Sequence, residues 1–128
     1  MRKVLLLLLS VVVLSITASA EVFTGTTTHA AMKSNADASW GKWVSVEIPF
    51  TIDTETNLIG IQSEDAQYLK ILDTNSAQYE WGELLSIPCY SLVEEEYCLL
   101  ELYSYKTGLK VMKIVYSDIS VKYKVVFN

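Results

Sequence analysis

The side chains of this sequence best suited to metal or redox chemistry are its two cysteines. They sit in "IPCYSLVEEEYCLLELY" (87–103), on either side of a run of three glutamates, Glu94 to Glu96. Thiolates bind zinc, and paired thiols run redox chemistry or close a disulfide. A structural zinc site needs four ligands, and besides Cys89 and Cys98 the chain offers only His29, far upstream. A redox pair is normally spaced C-x-x-C at a helix N-terminus that lowers one thiol's pKa; neither feature is present. The remaining use is a staple, and an even cysteine count in an exported domain favours one.

A Cys89–Cys98 disulfide is therefore expected. The flanks "IPCYSL" and "YCLLELY" are rich in β-branched, aromatic and apolar residues and form two strands of a hairpin whose tip is "VEEE". A two-residue connection, Val93-Glu94, puts the cysteines at a non-hydrogen-bonded position, where Cα atoms lie about 4.5 Å apart and a bridge is feasible. A four-residue loop, Leu92 to Glu95, places them at a hydrogen-bonded pair instead. Val-Glu lacks the Gly or Asn that a two-residue turn requires. The glutamates become a solvated loop tip.

Other chemistry is weakly represented. His29, in "TGTTTHAAM", would have to serve any His-dependent hydrolase, but no G-x-S-x-G or comparable nucleophile setting accompanies it. "DTETNLIGIQSE" (53–64) carries Asp53, Glu55, Asn57 and Glu64 at spacings reminiscent of a calcium loop, yet Leu58 stands where such a loop needs Gly. A polar hairpin turn is the better assignment. Glu47, Glu80, Glu83, Glu101 and Asp118 are surface acids with nothing in the sequence to pair them for acid–base work. No catalytic, metal or cofactor site is expected, and the chain is not read as an enzyme.

Recognition through aromatic rings has more support. Aromatics make up 11% of the chain, and exposed rings bind sugars, peptides or proteins because they bury area at little side-chain entropy cost. The candidate partner-binding residues are Trp40, Trp43, Tyr97, Tyr103 and Tyr105. In "YCLLELYSY" one face carries Cys98, Leu100 and Leu102 and the other Tyr97, Leu99, Glu101, Tyr103 and Tyr105. With the first face inward, the tyrosines face solvent or a partner. The opposing possibilities are that the tryptophans plug the core and that the tyrosines form a covered cross-strand ladder.

The elements that must position these residues are strands. "MRKVLLLLLSVVVLSITASA" (1–20) has the charged start, short apolar run and small-residue end of a secretory signal peptide; the run is too short to span a membrane. Residues 21–128 then form one domain, with no membrane span after cleavage. "KWVSVEIPFTID" alternates Val44, Val46, Ile48, Phe50 and Ile52 against polar residues, the two-residue period of a half-buried strand. Pro49 places a bulge or an edge in it. "THAAMKSNADASW" (28–40) reads as a loop with at most one helical turn, and "DTNSAQ" as a turn. Short strands at "VFTGTTT", "NLIGIQS", "QYLKIL", "WGELLSI", the cysteine hairpin, "LKVMKIVY" and "SVKYKVVF" complete the set. The fold class is all-β: an antiparallel meander of about eight strands. It is expected to close as a calycin-like barrel, which removes sheet edges, in preference to a two-sheet sandwich.

Loss of Arg2 and Lys3 reduces Lys+Arg from 10 to 8 against 15 Asp+Glu, so the net charge moves from −5 to −7. No basic run is present, which argues against nucleic acid as a partner. The expectation is a secreted or periplasmic binding or inhibitor module for a protein, glycan or small ligand, with a structural component of an extracellular or envelope assembly as the alternative. N-terminal sequencing of the exported protein should begin at Glu21.

Overall fold

The computed structural model describes residues 21–128; the segment assigned as a signal peptide lies outside the described residues. The nine strands are β1 (Val22–Ser34), β2 (Val44–Asp53), β3 (Leu58–Ile61), β4 (Gln67–Ile71), β5 (Asn75–Tyr79), β6 (Gly82–Ser91), β7 (Glu96–Tyr105), β8 (Lys110–Val115) and β9 (Ile119–Phe127). All pairings are antiparallel, in the order β4-β3-β2-β1-β9-β8-β7-β6-β5, with β4 also paired to β6. That last pairing closes eight strands into a barrel and leaves β5 as an extra strand. The long strand β6 makes this possible by serving two partners on one edge: Cys89 to Ser91 pair with β4, and Gly82 to Ser86 with β5.

Alternation fills the interior. Phe50, Ile52, Ile59, Ile61, Leu69, Leu85, Ile87, Leu100, Leu102, Met112 and Ile114 are all essentially inaccessible, and Tyr116, Val121, Tyr123 and Val125 join the same cluster. Such a barrel is just wide enough for side chains to occupy it. Gly25 is required by this packing, because any Cβ there would collide with the Val126 carbonyl and the Phe50 ring. Phe50 in turn packs edge-to-face on Phe127 at 5.2 Å.

Both prolines sit where a neighbouring ladder has run out. The Pro49 carbonyl accepts from Gln62 N–H, just past the end of β3, and the Pro88 carbonyl accepts from Leu72 N–H, in the gap between β4 and β5. Each imino nitrogen thus faces a position at which no strand residue asks for a donor. β1 shifts register between Thr27 and His29 against both neighbours. Gly25 and Thr27 point inward before this bulge, whereas Ala30 and Met32, paired with inward Tyr123 and Val121, do so after it.

The structure corrects several expectations. Residues 28–34 belong to β1, because β9 pairs with them as far as Ser34 and a long-range ladder overrides the helix-forming local sequence. Residues 75–78 of the expected turn "DTNSAQ" belong to β5, and "WGELLSI" runs on into the first cysteine strand as the single strand β6.

The expected disulfide is absent: Cys89 and Cys98 are direct register partners, yet both are free thiols. The reason is the turn. Ser91 pairs with Glu96, so the loop is the four residues Leu92–Glu95, with Glu95 at φ 57° closing it. The carbonyl of Pro88 and the N–H of Leu92 are bonded on the β4 side. Residues 89 and 91 therefore direct their backbone groups to β7, and the cysteines occupy a hydrogen-bonded pair. There Cβ atoms stand about 5.5 Å apart, beyond the 3.5–4.5 Å that a disulfide spans. Burial first, then the neighbouring Cys98, pushes the Cys89 thiol up to about 12; burial and then Glu96 push Cys98 up to about 11.

Both thiols should stay silent towards Ellman's reagent at pH 8 in the native protein, and two should react once it is unfolded. Leu100 is fully buried between its register partners Ile87 and Ile114. Leu100→Ala should cost about 2–5 kcal/mol in denaturant unfolding.

Candidate functional site

The outer wall of β7, β8 and β9 gathers most of the candidate rings. Strand registry sets two adjacent cross-strand rows there. Leu84, Tyr103, Val111, Lys124 and His29 form one, and Ser86, Glu101, Lys113, Lys122 and Ala31 the next. Tyr105 continues the β7 face beyond Tyr103.

The β1–β2 connection lays two tryptophans across these rows. Asn35 anchors it: its N–H donates to the Asp118 carbonyl at 2.8 Å, its side-chain amide donates to the Tyr116 carbonyl at 2.7 Å, and its Oδ1 accepts from Ser120 Oγ at 2.6 Å. Gly41 N–H then returns to the Met32 carbonyl at 2.9 Å. Trp40 and Trp43 come to rest against β9, where Lys122 Nζ lies 4.5 Å from the Trp40 ring centre and 4.8 Å from that of Trp43. Lys124 Nζ is 4.9 Å from Trp43, and Lys33 Nζ 5.5 Å from Trp40. Ala31, beneath, is buried although it faces outward. Ammonium groups over ring faces contribute about 0.5–1 kcal/mol each when exposed.

The result is a cleft of about 440 Å³ walled by Trp40 and Trp43 on one side and Tyr103 and Tyr105 on the other, with Lys113, Lys122 and Lys124 in it. Rings continue past it: Trp81 lies 5.1 Å from Tyr105 and 5.8 Å from Tyr103, and Tyr79 stacks on Trp81 at 5.1 Å. Trp40, Trp43, Tyr103 and Tyr105 are half-buried; Trp81 and Tyr79 are exposed.

The charges in the cleft are unevenly matched. Glu101 accepts from Tyr103 Oη at 3.1 Å and pairs with Lys113 at 3.2 Å. Among the described residues this is the ion pair found, and no carboxylate reaches Lys122 or Lys124. Desolvation, then Lys113, then Lys124 lower the pKa of Lys122.

Four of the five candidate residues thus converge, and Tyr97 does not. It is 73% exposed near the opposite hairpin tip, edge-to-face on Tyr90 at 5.1 Å. The lysines are what sequence reasoning missed. No two adjoin in the chain, and the cluster exists only once β8 and β9 pair; the outward alternation of Lys122 and Lys124 was the available signal. His29 is half-buried outside the cleft, with Nδ1 2.9 Å from Thr28 Oγ1. Asp53 Oδ1 accepts from Glu55 and Thr56 N–H, capping the β2–β3 turn. Among the described residues no three His, Cys, Asp or Glu side chains converge as metal ligands.

A second cleft, of about 510 Å³, opens at the barrel mouth formed by the β3–β4, β6–β7 and β8–β9 turns. Its rim holds Glu64, Asp65, Glu94, Glu96 and Asp118. Its floor is a network in which Tyr116 Oη donates to Gln67 Oε1 and Gln67 Nε2 donates to Tyr123 Oη at 2.9 Å. Burial raises the pKa of both phenols. The glutamate run between the cysteines therefore supplies part of an acidic rim, and the lysine wall lies on the side of the same barrel.

Comparison with known proteins finds no family model, no curated protein and no solved structure that matches this chain.

Burial is the largest cause that pushes the Tyr103 phenol up to about 12, followed by the charge of Glu101 and its hydrogen bond. The raised value favours the neutral phenol in the folded state, so this contribution to stability is complete below pH 10 and is lost as pH rises from 10 towards 12. Glu101→Gln should move the Tyr103 midpoint part of the way back, because burial remains. Alkaline absorbance at 295 nm, with Tyr103→Phe as the subtraction control, reads the shift.

Proposed function

We propose that this chain is an exported binding module that engages its ligand on the outer wall of β7 to β9, through Trp40, Trp43, Tyr103 and Tyr105 with Lys113, Lys122 and Lys124. The observation that carries this reading is the convergence of four rings around three lysines, of which Lys113 pairs with Glu101 while no carboxylate of the described residues reaches Lys122 or Lys124. Rings provide flat apolar contact, and the ammonium groups provide attraction for an anion. The ligand is therefore expected to combine negative charge with an apolar or planar framework. The filled interior supports placing the ligand outside the barrel. Export rests on the signal-like residues 1–20, and Tyr97 is left out of the proposed surface.

A structural or assembly role is favoured by a different observation. β5 pairs with β6 on one edge only, so Asn75–Tyr79 offers an open, exposed strand edge on which another chain could add. Light scattering across a concentration series separates the two readings: a monomer favours the module, a concentration-dependent oligomer the assembly component.

The wall is tested through the indole N–H signals of Trp40 and Trp43 in ¹⁵N spectra, recorded against neutral and acidic oligosaccharides, acidic peptides and small aromatic carboxylates. At least one anionic member should shift both signals, and Trp43→Ala should weaken that binding by about tenfold, in line with an aromatic anchor. No shift with any member, or shifts confined to the mouth residues, would overturn the assignment.

A further inference from the structure

Lys113 and Lys122 are direct register partners across β8 and β9, and Lys124 is two residues along on the same face. Like charges directly opposite one another in a sheet are destabilising. The chain has 15 acidic residues with which to neutralise such a cluster, yet among the described residues Glu101, paired with Lys113, is the one acid that reaches it. Lys122 and Lys124 face aromatic rings instead. An anion seated between them would relieve the repulsion, and each ammonium is already held in place by a ring.

The shape of the aromatic surface limits what carries that anion. The rings run from Trp40 and Trp43 through Tyr103 and Tyr105 to Trp81 and Tyr79. With about 4.8 Å between neighbouring strands, β9 to β6 alone is roughly 14 Å. That track is open to solvent and longer than a single small acid. It is also the face of a sheet whose backbone groups are engaged in ladders, so it offers none of the main-chain hydrogen bonds by which an extended peptide adds to an edge. Ring faces and point charges remain, and apolar sugar faces stack on such rings. All cations of residues 21–128 are lysines, which act as point charges without the planar fork of arginine; they suit anionic groups at intervals better than one fixed geometry.

We infer that the wall is a track for a linear acidic polysaccharide, with sugar rings on Trp40, Trp43, Tyr103 and Tyr105 and a carboxylate or sulfate at Lys122 and Lys124. This rests on the wall being the ligand face and names the class of ligand it takes.

Titration calorimetry at two salt concentrations tests it on the full processed chain. Oligogalacturonates should bind with affinity that rises from dimer to hexamer and falls with salt, whereas their methyl esters, which keep the framework and lose the charge, should not. Dextran sulfate against dextran separates sulfate from carboxylate recognition; binding to either acidic polymer supports the inference. Lys122→Gln with Lys124→Gln should weaken binding by about tenfold or more, consistent with the loss of two charge-assisted contacts, while a thermal midpoint that does not fall shows that the fold is intact. Glu94→Gln with Glu96→Gln, at the mouth, should not weaken it. Equal binding of the methyl esters, or binding only of an oligothymidylate or a polyglutamate peptide, overturns the inference. If acidic sugars fail while another anion shifts the Trp40 and Trp43 signals, the ligand class is wrong and the wall assignment stands. If nothing perturbs those signals, both fall.

Discussion

Closing eight strands into a barrel obliges each to send alternate side chains inward, and in this chain those side chains occupy the space. Ile59, Ile61, Leu85, Ile87, Leu100 and Ile114 are all at 0% exposure. At roughly 25 cal/mol per Å² of apolar surface removed from water, such a core is the main force holding the domain together. It also leaves little free space inside. With the lumen occupied by leucine and isoleucine side chains, the two clefts described above lie on the outer wall and at the mouth, where the meander's turns decide which side chains gather.

The phase of each strand then determines what the outside carries. The four-residue turn between β6 and β7 sends Cys89, Cys98, Leu100 and Leu102 inward and Tyr103 and Tyr105 outward. The bulge in β1 performs a similar service on the other side of the wall. Without the shift between Thr27 and His29, the residues following it would change faces. Ala31 would then no longer lie beneath the tryptophans. A small side chain at that spot leaves room for Trp40 and Trp43 to approach β9 closely enough for ring contact with Lys122. One turn and one bulge thus align the two halves of the cleft.

Strand periodicity made much of this legible in the sequence. The inward set of β9, Val121, Tyr123 and Val125, follows from two-residue alternation and is buried; in β7 alternation separates the Cys/Leu/Leu face from the tyrosine face, and the structure shows the first to be the buried one. What could not be read locally depended on partners distant in the chain. "HAAMKS" has helix-forming residues and becomes strand because β9 is there to pair with it. "NSAQY" has turn-like composition and becomes β5 because β6 extends beyond the end of β4. The cysteines illustrate the same limit from the other direction: the pairing of residue 89 with 98 was readable, but the turn length that decides whether their side chains can meet was not fixed by composition. A left-handed conformation at Glu95, a residue with no intrinsic preference for it, closes the longer loop.

Charge is the property in which the sum misleads most. Taken over the chain, 15 acids against 10 bases describe an anionic protein, and a linear reading finds no basic run. Folding separates the signs. Turns at one end bring five carboxylates around the mouth, while the alternation of β8 and β9 stacks Lys113, Lys122 and Lys124 on the wall. At physiological salt the Debye length is about 8 Å, so solvent-exposed charges at the mouth are largely screened from more distant lysines. A ligand at the wall senses chiefly the charges beside it. The acidity of the whole domain is therefore compatible with the proposed local site for anions, where no carboxylate of the described residues reaches Lys122 or Lys124.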